Sequence, residues 1–376
     1  MNNTIIIAGD LCPKDRVAQL FEEKQYVEVF QDVKPVIEQA SYAIVNLEAP
    51  IVEGTGYPIA KSGPNLKCTE KVIDAIKYVG FKGVTLANNH FYDYGEDGAL
   101  NTMQKLDENG IAYVGAGMNL EDAGNILYVE VGTKKLGVVN CCEHEYSIAT
   151  RDHAGANALN PVTLYYAIKE AKEKANYVLV IVHGGIEHYQ LPTPRMKELY
   201  RFAIDCGADA VVNHHQHCYS GYEVYSGKPI FYGLGNFCFD RKGKRRDKWN
   251  EGYMVKVKID DNAFELLPYR QCDDNPSVVM IKGEEKEYFT QEIERLNQLI
   301  ADPVVLEEKL RELAVKTRSG FSPFNPYTNP YLSGLYRRGW LPSFVSKKKL
   351  MAIQNKIECE SHLERLKFVV QEELKA

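Results

Sequence analysis

Asp, Glu, Asn and His residues recur in this chain at one kind of place, directly after short apolar runs. Residues 4–8 (TIIIA) lead into Gly9-Asp10, residues 42–45 (YAIV) into Asn46-Leu47-Glu48, and residues 83–87 (GVTLA) into Asn88-Asn89-His90, with Asp93 close behind. Residues 177–182 (YVLVIV) lead into His183-Gly184-Gly185, then Glu187 and His188. Residues 210–212 lead into Asn213-His214-His215-Gln216-His217, and residues 229–232 into Gly233-Leu234-Gly235-Asn236. Eight of the nine histidines fall between residues 90 and 217, whereas a solvated surface would scatter them. Oxygen and imidazole donors without sulfur suit Mn, Fe, Zn or Mg. Such a set can hold two cations about 3.5–4 Å apart, which polarise a phosphoryl group and lower the pKa of a water between them.

These donors need elements that bring them together. From residue 4 to about 240 the apolar runs alternate with helical patterns at 32–40, 70–79, 98–109, 161–174 and 193–206. Pro161 suits a first helical turn. Alternation of this kind predicts an α/β core with strands between helices, and the nearly continuous run 177–182 predicts a strand covered on both faces. In open α/β sheets, ligand sites lie beyond the carboxyl ends of the strands. The six donor clusters would converge there. Two stretches break the pattern: residues 126–131 with 135–140, and 252–259 with 263–267, each read as a hairpin.

The ordered segments GD (9–10), NLEAPI (46–51), LANNHFYDYG (86–95), HGGIEH (183–188), GADAVVNHHQH (207–217) and YGLGNFCFD (232–240) resemble the CapA family of poly-γ-glutamate capsule biosynthesis proteins. The resemblance covers about residues 4–260. It implies a metallophosphoesterase-like two-sheet sandwich flanked by helices, in four αββα layers, with one or two divalent metal ions at the loops of one edge. By motif, it implies Asp10, Glu48, Asn89, His183, His215 and His217 as metal ligands and His90 as the catalytic proton donor. Two positions differ from the metallophosphoesterase pattern: Cys12 stands where a histidine is common, and Glu48 stands in place of an aspartate. Lys61, Asp93, Glu187 and Asn236 are the residues expected on the substrate side. Asp93 and Glu187 have the alternative of orienting histidines as acceptors, and Asn236 of shaping the site.

Composition bounds the rest. The chain has 376 residues, a net charge of −6 and 26% charged residues, which gives no support to nucleic-acid binding. No P-loop, GxGxxG after a strand or GxSxG elbow is present, so a polymer synthetase using ATP is not visible. Met1–Ala8 lacks a signal-peptide pattern and no long apolar span follows, so a cytoplasmic location without a transmembrane segment is expected. The nine cysteines contain no CxxC pair and read as buried free thiols. The expected division is a site-bearing domain over 1–275 and a helical C-terminal extension over 276–376. Within the latter, 286–318 and 347–373 have helical patterns and 319–342 reads as irregular. A basic run (Lys242, Lys244, Arg245, Arg246, Lys248) reads as a solvated loop, with contact to an acidic polymer or anionic surface as the alternative. The functional reading is a capsule or poly-γ-glutamate biosynthesis protein. It would use metal-activated water on a phosphate ester or a polymer amide, with an anionic small-molecule or polymer substrate and capsule-biosynthesis proteins as partners. A general phosphoesterase or nucleotidase, and a non-catalytic partner in a biosynthetic complex, are the alternatives.

Overall fold

The computed structural model describes residues 3–61, 63–243, 245–317, 331–332, 335, 340–341 and 346–373. Lys244 and most of the 319–342 stretch lie outside the described residues. The strands are β1 (Thr4–Cys12), β2 (Tyr42–Leu47), β3 (Gly83–Thr85), β4 (Ala112–Val114), β5 (Ala116–Gly117), β6 (Leu127–Val131), β7 (Lys134–Cys142) and β8 (Gly155–Ala156). They continue with β9 (Tyr177–His183), β10 (Ala210–His214), β11 (Tyr222–Tyr225), β12 (Lys228–Phe231), β13 (Asn236–Phe239), β14 (Glu251–Lys258), β15 (Phe264–Gln271) and β16 (Val278–Met280). One sheet runs β16-β15-β14-β1-β2-β3-β4, with β13 also paired to β1; a second runs β11-β12-β10-β9-β7-β6. The first is antiparallel from β16 to β1 and parallel from β1 to its edge strand β4, and the second is parallel at its centre with an antiparallel strand at each margin.

Strand periodicity explains the layers. Ile5, Ile7, Tyr42, Ile44, Val255 and Val257 share one core with Val138, Val180 and Val211 of the second sheet. The intervening Ile6, Ala8, Ala43, Val45 and Met254 belong to a different core. There they meet the helices α1 (Asp15–Glu22), α2 (Tyr26–Phe30), α3 (Lys34–Ile37), α4 (Lys71–Val79) and α5 (Gly95–Glu108). After the short α6 (Leu120–Ala123), helices α7 (Pro161–Lys174) and α8 (Pro194–Cys206) cover the far face of the second sheet through Ile168, Ala171, Met196 and Tyr200. This is the expected αββα sandwich. Successive side chains of β1 thus serve opposite faces, and each buried Ile or Val contributes about 1.5–3 kcal/mol.

Caps fix where the helices start. The Asn160 side chain accepts from Val162 N–H and the Thr193 hydroxyl from Met196 N–H, with proline in the first turn of each helix. The two hairpins are present as β6–β7 and β14–β15. The helix expected over 32–40 shortens to Lys34–Ile37, with Pro35 in its first turn. The 286–318 pattern is two helices, α9 (Gly283–Ala301) and α10 (Pro303–Thr317), parted at Pro303. The first sheet continues past residue 275 to β16. Among the described residues, two further helices, Lys347–Glu358 and Glu360–Glu373, follow. No helix among the described residues is long and apolar enough to cross a membrane. All nine cysteines are buried and free, as expected.

Candidate metal centre

Backbone irregularities aim the donors. The pairing of β1 with β2 slips a register between Ala8 and Asp10, and that with β13 between Asp10 and Leu11. Such bulges re-aim side chains. Gly9 permits this one, because a Cβ there would lie 1.8 Å from the Gly235 carbonyl oxygen. His215 and His217 adopt φ of 90° and 54°, left-handed values that are costly outside glycine and gather at functional sites. Part of the compensation is direct: the His215 N–H donates to Asp10 Oδ2 at 3.3 Å.

The strand ends meet in one buried cluster. Asp10, Glu48, Asn89, His90, His183, His214, His215 and His217 are all buried. Two donor sets overlap there. Asp10, Glu48 and His217 offer ligand atoms within 4.8 Å of one another, and so do Glu48, His183 and His215. Asn89 joins the second set, its Oδ1 lying 3.0 Å from His183 Nε2. Glu48 is common to both, with Oε1 3.6 Å from His183 Nε2 and 3.7 Å from His217 Nε2. Neither oxygen of Glu48 has a hydrogen-bond partner, although the residue is fully buried. A buried carboxylate without partners is costly, and a divalent cation is the partner these surroundings fit. Asp10, His183 and His214 form a further overlapping set.

Electrostatics agree with the geometry. Burial, then the neighbouring Asp10 and Glu187, hold the Glu48 carboxyl well above the usual range. Burial, followed by the other imidazoles, holds His183 well below its usual value. Burial brings His215 down to about 3. The imidazoles are therefore neutral near pH 7, the form that ligates metal. For His217 the tautomer follows from its partner. Asn236 Nδ2 donates to the carbonyls of His217 and Trp249 at 3.3 and 3.2 Å, so its Oδ1 accepts from His217 Nδ1 at 2.9 Å. Nε2 of His217 then faces Glu48 with its lone pair free.

The remaining residues form supports and walls. His90 Nδ1 lies 2.6 Å from Asp93 Oδ2 and 3.1 Å from Lys61 Nζ, contacts that leave Nε2 unengaged by either. Asp93 also accepts from Leu66 N–H at 2.6 Å and pairs with Lys61. Lys61, Asp93 and Asn236 are thus engaged by protein groups rather than presented to solvent. Glu187 is exposed at the rim, within electrostatic reach of His217 and His215. Trp249 and Phe239 pack on the His217 ring, with centroids 4.7 and 5.3 Å away. Lys67 is used by the carbonyls of Gly54 and Thr55, and Arg195 by Glu143. Arg246 pairs with Asp274, and Lys248 donates to Gln190, in keeping with a solvated loop.

Sequence reasoning passes over three contributors. Asn46 donates to Asp10 Oδ1 at 2.8 Å and accepts from Thr85 and Asn88 at 3.1 and 3.2 Å. Its position in the strand-end motif is the available signal. Glu143 and Glu145 follow β7, a seventh strand that ends at the site because it runs parallel to β9. Burial, then Glu187, pushes the Glu145 carboxyl up to about 8. Gly184 makes room for Glu143, which accepts from the Gly185 N–H at 3.1 Å.

A family model described as bacterial capsule synthesis protein PGA_cap matches residues 4–241. The capsule biosynthesis protein CapA of Bacillus anthracis is 33% identical over 272 residues, covering 70% of this chain and 66%, just under two thirds, of that protein. The PGA biosynthesis protein CapA of Bacillus subtilis strain 168 is 32% identical over 276 residues, covering 72% of each. Among solved structures, a phosphatase from Mycoplasma pneumoniae aligns at 16% identity and a TM-score of 0.45, over 73% of this chain and 96% of its own. A 5′-nucleotidase from Candida albicans aligns at 11% identity and a TM-score of 0.42, over 83% and 57%. Those TM-scores are low, and the architecture rests on the sheets and cores described above.

Proposed function

The chain belongs to the bacterial capsule synthesis family PGA_cap, and on that premise we propose that it serves capsule or poly-γ-glutamate biosynthesis as a metal-dependent hydrolase. Its substrate is an anionic phosphate ester or an amide of the polymer. The observation that carries this reading is Glu48: fully buried, unpartnered at both oxygens, and flanked by His183 and His217 at 3.6 and 3.7 Å. Asp10, Glu48 and His217 hold one divalent ion of the Mn, Fe, Zn or Mg group, and Glu48, Asn89, His183 and His215 a second. When bound, such ions polarise the scissile phosphoryl or carbonyl group and acidify a water.

The chain's own groups do the rest. Asp93 and Lys61 fix the His90 ring, and its Nε2 exchanges a proton with the leaving group. Asn236 holds His217 in one tautomer, and Asn46 holds the Asp10 carboxylate in place. Trp249 and Phe239 keep water from the His217 side. Glu187 stands at the mouth. The same proposal includes a cytoplasmic location, a helical extension after about residue 275 and other capsule-biosynthesis proteins as partners.

The test combines metal analysis of the purified protein with turnover of phosphomonoesters, phosphodiesters and γ-glutamyl polymers. Stoichiometric metal in wild type, lost in Asp10→Ala and His215→Ala together with turnover, supports the reading. Turnover confined to small phosphates would move it to a general phosphoesterase, and a protein that takes up no divalent metal would end it.

A further inference from the structure

A second group of metal-competent side chains lies where the C-terminal helices meet the loop after β7. Ligand atoms of Glu145, Cys359 and His362 all fall within 4.8 Å of one another. Cys359 sits between helices Lys347–Glu358 and Glu360–Glu373 and is fully buried. His362 lies in the first turn of the last helix. Asn355 orients two of the three groups at once. Its Nδ2 donates to Glu145 Oε2 at 3.2 Å, and its Oδ1 accepts from His362 Nδ1 at 2.9 Å. That arrangement leaves His362 Nε2 with a free lone pair, and Oε1 of Glu145 free of the amide. Metal-binding histidines are held in this way, by a hydrogen bond at the other ring nitrogen.

The surrounding contacts fix the same loop against the same helices. Ser361 Oγ lies 2.7 Å from both oxygens of Glu143, and His144 Nδ1 lies 2.7 Å from Glu360 Oε1. Tyr146 donates to the Met351 carbonyl at 2.9 Å, and the Arg195 N–H donates to Glu364 at 3.3 Å. These contacts hold the three candidate ligands together without a metal. Tetrahedral zinc with sulfur, nitrogen and oxygen ligands places its donors roughly 3.3–3.8 Å apart. Closure from the present separation therefore needs side-chain adjustment, not rearrangement of the helices.

We propose that Glu145, Cys359 and His362 form a further cation site, of zinc type, that clasps the C-terminal helix to the loop after β7. Thiolate, imidazole and carboxylate together select zinc over magnesium or calcium. Three protein ligands leave a fourth position for water. Binding releases the thiol proton of Cys359 and the carboxyl proton of Glu145, whose titration lies near 8, to solvent, and the two resulting negative charges balance the dication. The site is distinct from the centre at Glu48, although Glu145 Oε1 comes within 3.9 Å of His215 Nε2.

Sulfur makes the site separately observable. The full chain is stripped of metal and titrated with Co2+, whose thiolate complexes give a strong near-ultraviolet charge-transfer band. The centre at Glu48 has no sulfur ligand and contributes none of it. We expect a saturable band that persists in Asp10→Ala, disappears in Cys359→Ser, weakens in His362→Gln and is displaced by Zn2+. Zinc should also slow proteolysis of the C-terminal helices in wild type and not in Cys359→Ser. Circular dichroism of both variants separates loss of the site from loss of the fold. Absence of the band in wild type, or its persistence in Cys359→Ser, overturns the proposal and leaves the centre at Glu48 untouched. Loss of the other bound metal in Asp10→Ala reports on that centre alone.

Discussion

Replacing Glu48 with Gln preserves shape and removes one negative charge shared by both donor sets. In metal-free protein this is not destabilising at neutral pH. Burial, then Asp10, raises the Glu48 carboxyl above its unfolded value. The stability linked to that group is full below about pH 4.5 and is lost as pH rises toward the folded value. Gln has no such loss, so metal-free Glu48→Gln should unfold at or above the wild-type temperature. Metal binding behaves oppositely. Losing an indirect support of a metal site costs about 10–100-fold in affinity, so a ligand shared by two ions sets a floor of about 100-fold, or ~2.7 kcal/mol. At free metal ~100 times the wild-type Kd, bound metal stabilises by about that amount. With an unfolding entropy of about 2.1 cal/mol/K per residue, the shift is about 3 °C for 376 residues. Thermal unfolding with and without Mn2+ or Zn2+, paired with metal analysis after dialysis, reads both effects. A variant that keeps stoichiometric metal, or whose metal-free form unfolds several degrees below wild type, refutes the role given to Glu48.

Three further outcomes follow from the same geometry. Asn236→Ala frees the Nδ1 of His217 from its 2.9 Å acceptor and should weaken metal affinity by about 10–100-fold, read by competition with a chromophoric chelator; unchanged affinity would remove Asn236 from the site. His90→Asn should lower turnover of the best substrate in the panel by about 10²–10⁴ while metal content stays at the wild-type level, because His90 belongs to neither donor set; parallel loss of metal would make it a ligand instead. Metal affinity should rise by about tenfold per pH unit while Glu48 retains its proton. His183 and His215 are already neutral near pH 7 and release none. A calorimetric titration across pH 6 to 8 that shows no slope would mean that the raised Glu48 carboxyl is not what the ion displaces.

The fold was legible where patterning is strong. The run at 177–182 reads as a strand covered on both faces, and β9 is buried along its whole length. Pro161 marks a helix start that the structure keeps. Three-residue strands such as β4 are too short to carry a period, and the five-residue α2 has no proline or glycine to punctuate it. At the site, strand-end position marks the donor clusters and the family resemblance picks Asp10, Glu48, Asn89, His183, His215 and His217 out of them, and the structure brings all six into one buried cluster. Lys61 illustrates what sequence cannot give. A lysine in a Gly/Pro loop reads as a free cation for an anion, yet tertiary packing buries it against Asp93 and His90. Cys359 and His362 lie more than 200 residues from Glu145, and no spacing rule connects them.

The most direct measurement is an anomalous difference map from a crystal soaked in Mn2+, recorded near an absorption edge of the metal. Two peaks are predicted on either side of the Glu48 carboxylate, one bounded by Asp10 and His217 and the other by Asn89, His183 and His215. A map with no peak beside Glu48, or with its strongest peak against some other group of residues, would contradict the metal centre described here.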